Sequence, residues 1–353
     1  MGRQIEARSE ADGNKRGTCM AASENKGSPS SASPVWSHLA HLRQVREVNV
    51  LMAMIIVGAI ISIYTPYFLT TNNLMGVSRA FSLTAIMSIG MVMVIITGGI
   101  DLSVGSAMGL ASLVTALAFD AGFSQAASVG AGLSVGVVFG LVNGLLITAI
   151  GLPPFIATLG TLSIGRGLMY MVTRGVPVTP VTPDSFSALG QGYLGPVPVP
   201  VVIMLVLMVV FAFIMRRTRF GRHIYATGGN EHAARLSGVK TNRVKLAVYM
   251  LSSTIASLAG IIGFSRYLSA EPASGFGSEL DVIAAAAIGG ASLAGGVGSV
   301  SGAVIGAALV GVIANGIVLL NINTYAQQAI TGGVILIAVS LDVLRNRLSG
   351  GNS

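Results

Sequence analysis

Cysteine is almost absent from these 353 residues: Cys19 stands alone, so no intrachain disulfide can form and cysteine identifies no redox compartment. Charge is scarce as well. Asp, Glu, Lys and Arg make up 10% of the chain and hydrophobic residues 52%, whereas ordinary soluble domains are roughly a quarter charged. That balance argues against a water-soluble globular fold. Aromatic residues amount to 6%, and the single tryptophan, Trp36, lies in the N-terminal region, so the apolar segments carry no tryptophan platform for stacking a sugar or a base. Residues 1–34 lack the apolar stretch of a signal peptide. Their Ser, Gly, Ala and charged content predicts a disordered cytoplasmic extension over 1–40.

Catalytic signatures are missing too. No G-x-x-x-x-G-K-[ST] phosphate loop occurs, and "TGGNEHAARLSG" has glycines without the lysine and hydroxyl that cradle phosphates, so the chain is expected to bind no cofactor and to hydrolyse no ATP. His38, His41, His223 and His232 pair with no Cys or carboxylate at metal-ligand spacing, which predicts no metal site. No serine-centred nucleophile elbow appears. Neither catalysis nor an enzyme is expected here.

What fills the chain is long apolar runs. A helix rising 1.5 Å per residue needs about twenty residues to cross a hydrocarbon core of roughly 30 Å, and such spans are expected near 49–69, 79–98, 101–119, 127–150, 154–173, 199–215, 246–267, 280–298, 300–320 and 324–341. The predicted fold is an all-α polytopic membrane helical bundle of about ten transmembrane helices with interrupted glycine-rich segments. Charge placement checks the count. The net charge of +8 could suggest nucleic acid, but of 14 Lys and Arg after residue 48, eight lie between Arg216 and Lys245 with one acid, Glu231. Ten crossings put Arg43 and Arg46, the segment 216–245, and Arg345 and Arg347 all on the cytoplasmic side, as the positive-inside rule requires. No nucleic-acid partner is expected, and lipid is the main solvent.

The same count places Thr173–Pro198, rich in proline and glycine, outside as an irregular loop. A second outer loop, "SAEPASGFGSELD", ends in Glu279 and Asp281. These acids either complement the dipole of the next span or offer contacts to a basic external partner. Glycine is abundant, at 46 residues, and predicts close helix packing where lipid removes the hydrophobic drive. A weak echo links Gly98-Gly99-x-x-Leu102-x-x-Gly105 to Gly289-Gly290-x-x-Leu293-x-x-Gly296, and "VNGLLI" at 142–147 to "ANGIVL" at 314–319. Unequal separations rule out a simple tandem duplication and leave a diverged repeat or chance.

Polar groups inside apolar runs are the remaining candidates, because a charge at mid-bilayer costs about 2.5–3.5 kcal/mol on insertion scales. Asp101, Asn143, Arg166 and Asn315 qualify, with Arg266 nearer a span end. Asp101 and Arg166 are expected either to form one ion pair or to line a substrate path. Asn143 and Asn315 suit interhelical hydrogen bonds. In "GGIDLSVG", Gly98 and Gly99 permit a break between spans, and Asp101 and Ser103 can satisfy helix-start N–H groups.

"TGGIDLSVGSAMGLAS", "PPFIATLGTLSIGRGLMYMVTRG", "TRFGRHIYATGGNEHAARLSGVKTNRVK" and "GSELDVIAAAAIGGASLAGGVGSVSGAVIGA", in this order, closely resemble the ribose/xylose/galactose-type permeases of bacterial ABC sugar importers, over about residues 50–342. The resemblance implies a permease domain over 41–345, a short cytoplasmic tail over 346–353, and residence in the bacterial inner membrane with both termini cytoplasmic. It implies a second permease subunit, identical or paralogous, a periplasmic sugar-binding protein, and a cytoplasmic ATPase that uses the ATP. Segment 216–245 then becomes the coupling loop, in which Gly229, Asn230, Glu231, Ala233, Ala234, Leu236, Ser237 and Gly238 match the helix that docks on the ATPase. The residues suit this independently: Asn230 caps, Glu231 sits in the first turn, Ala233, Ala234 and Leu236 make a small apolar surface, and Gly238 ends it. Gly98, Gly99, Asp101, Asn143, Arg166 and Asn315 become path or helix-break residues, and Glu279 and Asp281 binding-protein contacts. The competing expectations are an ion-coupled secondary transporter using Asp101, and a branched-chain amino-acid permease of the same importer superfamily.

Overall fold

The computed structural model describes residues 46–323 and scattered positions beyond them up to residue 340. The expected extension over 1–40, most of the span at 324–341 and the tail 346–353 lie outside the described residues. Helix dominates, as the apolar runs dictate, because a backbone in lipid must satisfy its own hydrogen bonds. The helices are α1 (Arg46–Tyr64), α2 (Thr71–Ile96), α3 (Val104–Asp120), α4 (Gln125–Leu145, continued by a π turn over Leu146–Ile150) and α5 (Pro154–Thr173). Then come α6 (Asp184–Gln191), α7 (Val199–Arg217), α8 (Arg219–Gly229), α9 (Glu231–Leu236), α10 (Thr241–Tyr267), α11 (Ser278–Ile288) and α12 (Val300–Leu319). A two-residue hairpin, β1 (Tyr193–Leu194) with β2 (Val197–Pro198), precedes α7.

Helix starts follow local chemistry. The side chains of Thr70, Ser124, Thr218 and Ser299 accept N–H bonds in the first turns of α2, α4, α8 and α12. Pro154 opens α5, and Gly151 takes a left-handed φ of 85° to end the π turn before it.

Among the described residues, seven helices are long and apolar enough to cross a membrane: α1, α2, α4 with its π turn, α5, α7, α10 and α12. Helix α3, at 17 residues, covers about 25 Å. The expected span at 280–298 is corrected, since α11 stops at Ile288 and its eleven residues cover only about 16 Å. Gly289 and Gly290 end it, and irregular chain runs on to Ser299. After Asp281, the stretch to Gly298 holds only Ser292 among apolar residues and glycine, so hydropathy could not see this stop.

Helices α2 and α10 form the centre of the bundle, buried over most of their length, whereas α1 is nearly bare along its apolar stretch. Close approach is carried by glycine. Gly132, Gly136, Gly140 and Gly144 recur every fourth residue on α4, all buried, and a Cβ on Gly140 or Gly136 would overlap the backbone of Met250 or Ser253 in α10.

One end of the bundle carries the basic segment 216–245; the other is called here the far end. At the far end, 174–198 forms no long helix, as its prolines predict. It holds α6, whose fully buried Phe186 packs against Phe119 at 4.8 Å and Phe264 at 5.2 Å between ring centroids.

Candidate functional site

Two breaks enter the bundle from opposite ends. The first, 97–103, leaves α2 at Ile96 at the basic end and turns back inward, aided by Gly98 at φ 80°. It carries Asp101 to Ser252, a point about 16 Å along α10 at 1.5 Å per residue. The second descends from the far end through Gly275 and Gly277, both with positive φ, so that α11 starts inside the bundle against Gly105.

Asp101 is fully buried and fully engaged. Its Oδ1 accepts the Ser103 amide at 3.0 Å and the Ser103 hydroxyl at 2.6 Å, while Oδ2 accepts Ser252 Oγ at 3.3 Å. Asn143 Nδ2 donates to Ser103 Oγ at 2.8 Å, and Thr161 Oγ1 donates to Asn143 Oδ1 at 2.7 Å. The break, α4, α5 and α10 are therefore tied by one continuous network. Asp101 does satisfy a backbone N–H at the start of α3, but Ser103 spends its hydroxyl on Asp101 and caps nothing.

The expected Asp101–Arg166 ion pair is not formed. Arg166 Nη2 binds Glu279 Oε1 at 2.7 Å and the guanidinium lies 4.3 Å from the centre of the Phe276 ring. Glu279 is 7% exposed and faces α5, so it offers no surface to an external partner. That correction follows from the inward descent of 271–277, which a loop reading of "SAEPASGFGSELD" placed outside.

Asn315 and Asp281 go elsewhere. Asn315 and Asn73 exchange amide hydrogen bonds at 2.9 and 3.0 Å. Both line a far-end cavity of about 450 Å³ between α2, α10, α11 and α12, together with Asn72, Thr84, Arg266 and Asp281. Of the residues singled out from sequence, Asn315, Asp281 and Arg266 reach it; Gly98, Gly99, Asp101, Asn143, Arg166 and Glu279 do not. Asn73 lies in the first turn of α2, where polar residues read as caps, and Thr84 is a single hydroxyl in an apolar run, so neither carries a sequence signal for a site.

At the basic end, α9 forms as its residues dictate. Asn230 Oδ1 accepts the Ala233 amide at 2.9 Å, Glu231 occupies the first turn, Ser237 follows the last, and Gly238 takes φ 84°. Ala233 and Leu236 are exposed and Ala234 is buried, so the apolar surface is smaller than expected. Glu231 accepts Lys245 Nζ and Arg235 Nη2, each at 2.6 Å. Partial burial raises its pKa, but these bonds outweigh it and hold the carboxyl below the usual glutamate range.

Gly229 is open, whereas its neighbour Gly228 is not. Gly296 N–H donates to the Ile96 carbonyl at 2.9 Å, joining the irregular chain after α11 to the first break, and a Cβ on Gly228 would overlap that carbonyl. Tyr225 adds a bond to Gly298 O at 2.8 Å. The basic segment thus bears directly on both echoing glycine motifs where they meet. Sequence hinted at the motifs and not at their contact.

The chain matches the family described as "Branched-chain amino acid transport system / permease component" over residues 73–339. It is similar to the ribose import permease protein RbsC of Bacillus subtilis (strain 168), 40% identical over 84% of this chain and 93% of that protein. It is also similar to RbsC of Escherichia coli (strain K12), at 42% over the same shares, and to the L-arabinose transport system permease protein AraH of that strain, at 38% over 82% and 89%. No solved structure matches it significantly.

Proposed function

This chain belongs to the branched-chain amino acid transport system permease component family, and from that premise we propose that it is the membrane permease subunit of an ATP-driven ABC importer carrying a pentose or hexose inward. The observation that carries the reading is the likeness, at about 40% identity along most of the chain, to permeases named for ribose and L-arabinose. It favours sugar over a branched-chain amino acid as cargo. Burial and full engagement of Asp101 speak against an ion-coupled transporter that loads a cation on this carboxylate.

In this reading the basic end faces the cytoplasm of a bacterium, with both chain termini on that side. A cytoplasmic ATPase binds the ATP and meets α9; a periplasmic sugar-binding protein delivers cargo at the far end; and a second permease subunit completes the pathway. Helix α9 is suited to its part because Asn230 and the Glu231–Lys245–Arg235 cluster hold it in place, and Gly228 passes any displacement to the first break and to the irregular chain after α11 without an intervening side chain.

The test is reconstitution in vesicles with an ATPase and a binding protein, followed by uptake of labelled ribose, xylose, galactose, L-arabinose and leucine. ATP-dependent sugar uptake that needs both partners is expected; gradient-driven uptake by the chain alone would overturn the reading. Ala233→Glu, on the exposed side of α9, should abolish uptake and ATPase association at normal membrane abundance. Ala234→Glu is a poorer probe, because Ala234 is buried.

A further inference from the structure

The far-end cavity has a composition that helix packing alone does not call for. Helices in lipid associate through small residues and a few hydrogen bonds, and ionisable groups within them are costly. Here a guanidinium, a carboxylate, three asparagine amides and a threonine face one space. Its volume of about 450 Å³ falls within the roughly 300–1,000 Å³ typical of small-molecule sites. Arg266 Nη1 is buried and has no hydrogen-bond partner among the described residues. Ser128, Tyr249, Ser253 and Ser257 also hold buried hydroxyls without a partner among the described residues, but Arg266 is the one of these donors that lines the cavity. Gly76 lines the space, and a Cβ there would meet nothing within 4 Å, so a side chain introduced at this position projects into open space.

We propose that this cavity is a cargo site within the permease itself, holding one monosaccharide by its hydroxyls. The inference rests on the sugar-importer reading above and adds that the permease recognises its cargo, so selection occurs a second time after the binding protein. Sugar hydroxyls both donate and accept, as each amide of the Asn73–Asn315 pair does, so a sugar can replace the bonds these side chains make to each other. Asp281 accepts from hydroxyls and Arg266 donates to them. The Phe81 ring, also in the lining, covers the apolar face of the sugar. A site built to bond hydroxyls rejects ligands that lack them, because its polar groups are then left unmatched.

The test is equilibrium binding of labelled ribose, L-arabinose and leucine to the full chain in lipid nanodiscs, with neither partner protein present. Saturable binding of at least one sugar and none of leucine is expected. Gly76→Val, which projects a branched side chain into the cavity, and Asp281→Asn should each weaken sugar binding about tenfold or more, while Gly76→Ala stays near wild type. Thermal unfolding midpoints close to wild type verify that the variants are folded. The proposal is overturned if wild type binds no sugar, if leucine competes, or if Gly76→Val binds as wild type. It is also overturned if Gly76→Val prevents assembly with the second permease subunit, since the cavity would then be a subunit contact. Sugar uptake by the reconstituted importer with unchanged KM in Gly76→Val sinks the cavity and leaves the importer standing. Absence of sugar uptake by the wild-type importer sinks the reading beneath it.

Discussion

The centre around Asp101 and the far-end cavity draw on the same side-chain types, with opposite results. Around Asp101, both carboxylate oxygens are used, Ser103 and Asn143 extend the chain of bonds, and none of these three residues has solvent exposure. Around the cavity, Arg266 Nη1 has no partner among the described residues, and Gly76 borders open space. The first arrangement fastens a broken helix; the second borders a cavity of about 450 Å³. Counting polar residues in apolar runs cannot separate them, because the difference lies in whether the groups close on one another or border open space.

The largest effect should come from breaking the sealed centre. Asp101→Leu removes the acceptor of two buried hydroxyls and one amide, and at about 1–3 kcal/mol for each unmatched buried group it should cost ~3 kcal/mol or more. A large fall in thermal midpoint and in membrane yield would show it. Asp101→Asn retains an acceptor oxygen and should keep both the fold and uptake. A well-folded Asn variant without transport would instead return a charge-dependent role to this residue.

Next in size is Arg166→Gln. Breaking a buried pair by removing one member costs about 3–5 kcal/mol, and Arg166 keeps 23% side-chain exposure, so the low end of that range is expected. Arg166→Gln combined with Glu279→Gln should recover part of the loss, because no buried charge is then stranded. Unfolding midpoints of the two singles and the double variant measure this; strict additivity would contradict the pairing.

In the cavity, by contrast, Asn315→Ala should change stability by only ~0.6 kcal/mol, the average found for polar contacts between membrane helices. Unfolding in detergent tests it, and a loss as large as that of Asp101→Leu would erase the distinction between the two centres. The smallest effect belongs to Glu231, outside the bundle. Its lowered pKa means that its contribution is present above the ordinary glutamate value, about 4.3, and is lost as pH falls below it. Acid titration of stability should show a small step there that Glu231→Gln abolishes.

Much of this was legible from residues. The α5 boundaries, Pro154–Thr173, were read directly from the proline and the apolar run. Helix α9 was read from Asn230 through Gly238, since caps act within a few residues. The early start of α2 at Thr71 was missed because "TNNLMGVSR" is too polar for a hydropathy argument, although Thr70 caps it. The halt of α11 was missed because apolar residues continue beyond it.

By itself, the sequence determined that the chain lives in lipid, that glycine would bring its helices close, and where most helices begin and end; these depend on composition and short-range capping. Only the tertiary structure decided that Arg166 meets Glu279, that Asn315 meets Asn73 across 242 residues, and that Gly228 sits where Ile96 meets Gly296. A buried polar group must find a partner, but which one depends on the path of the irregular chain between helices. That path is set by the packing of the whole bundle, to which no local pattern gives access.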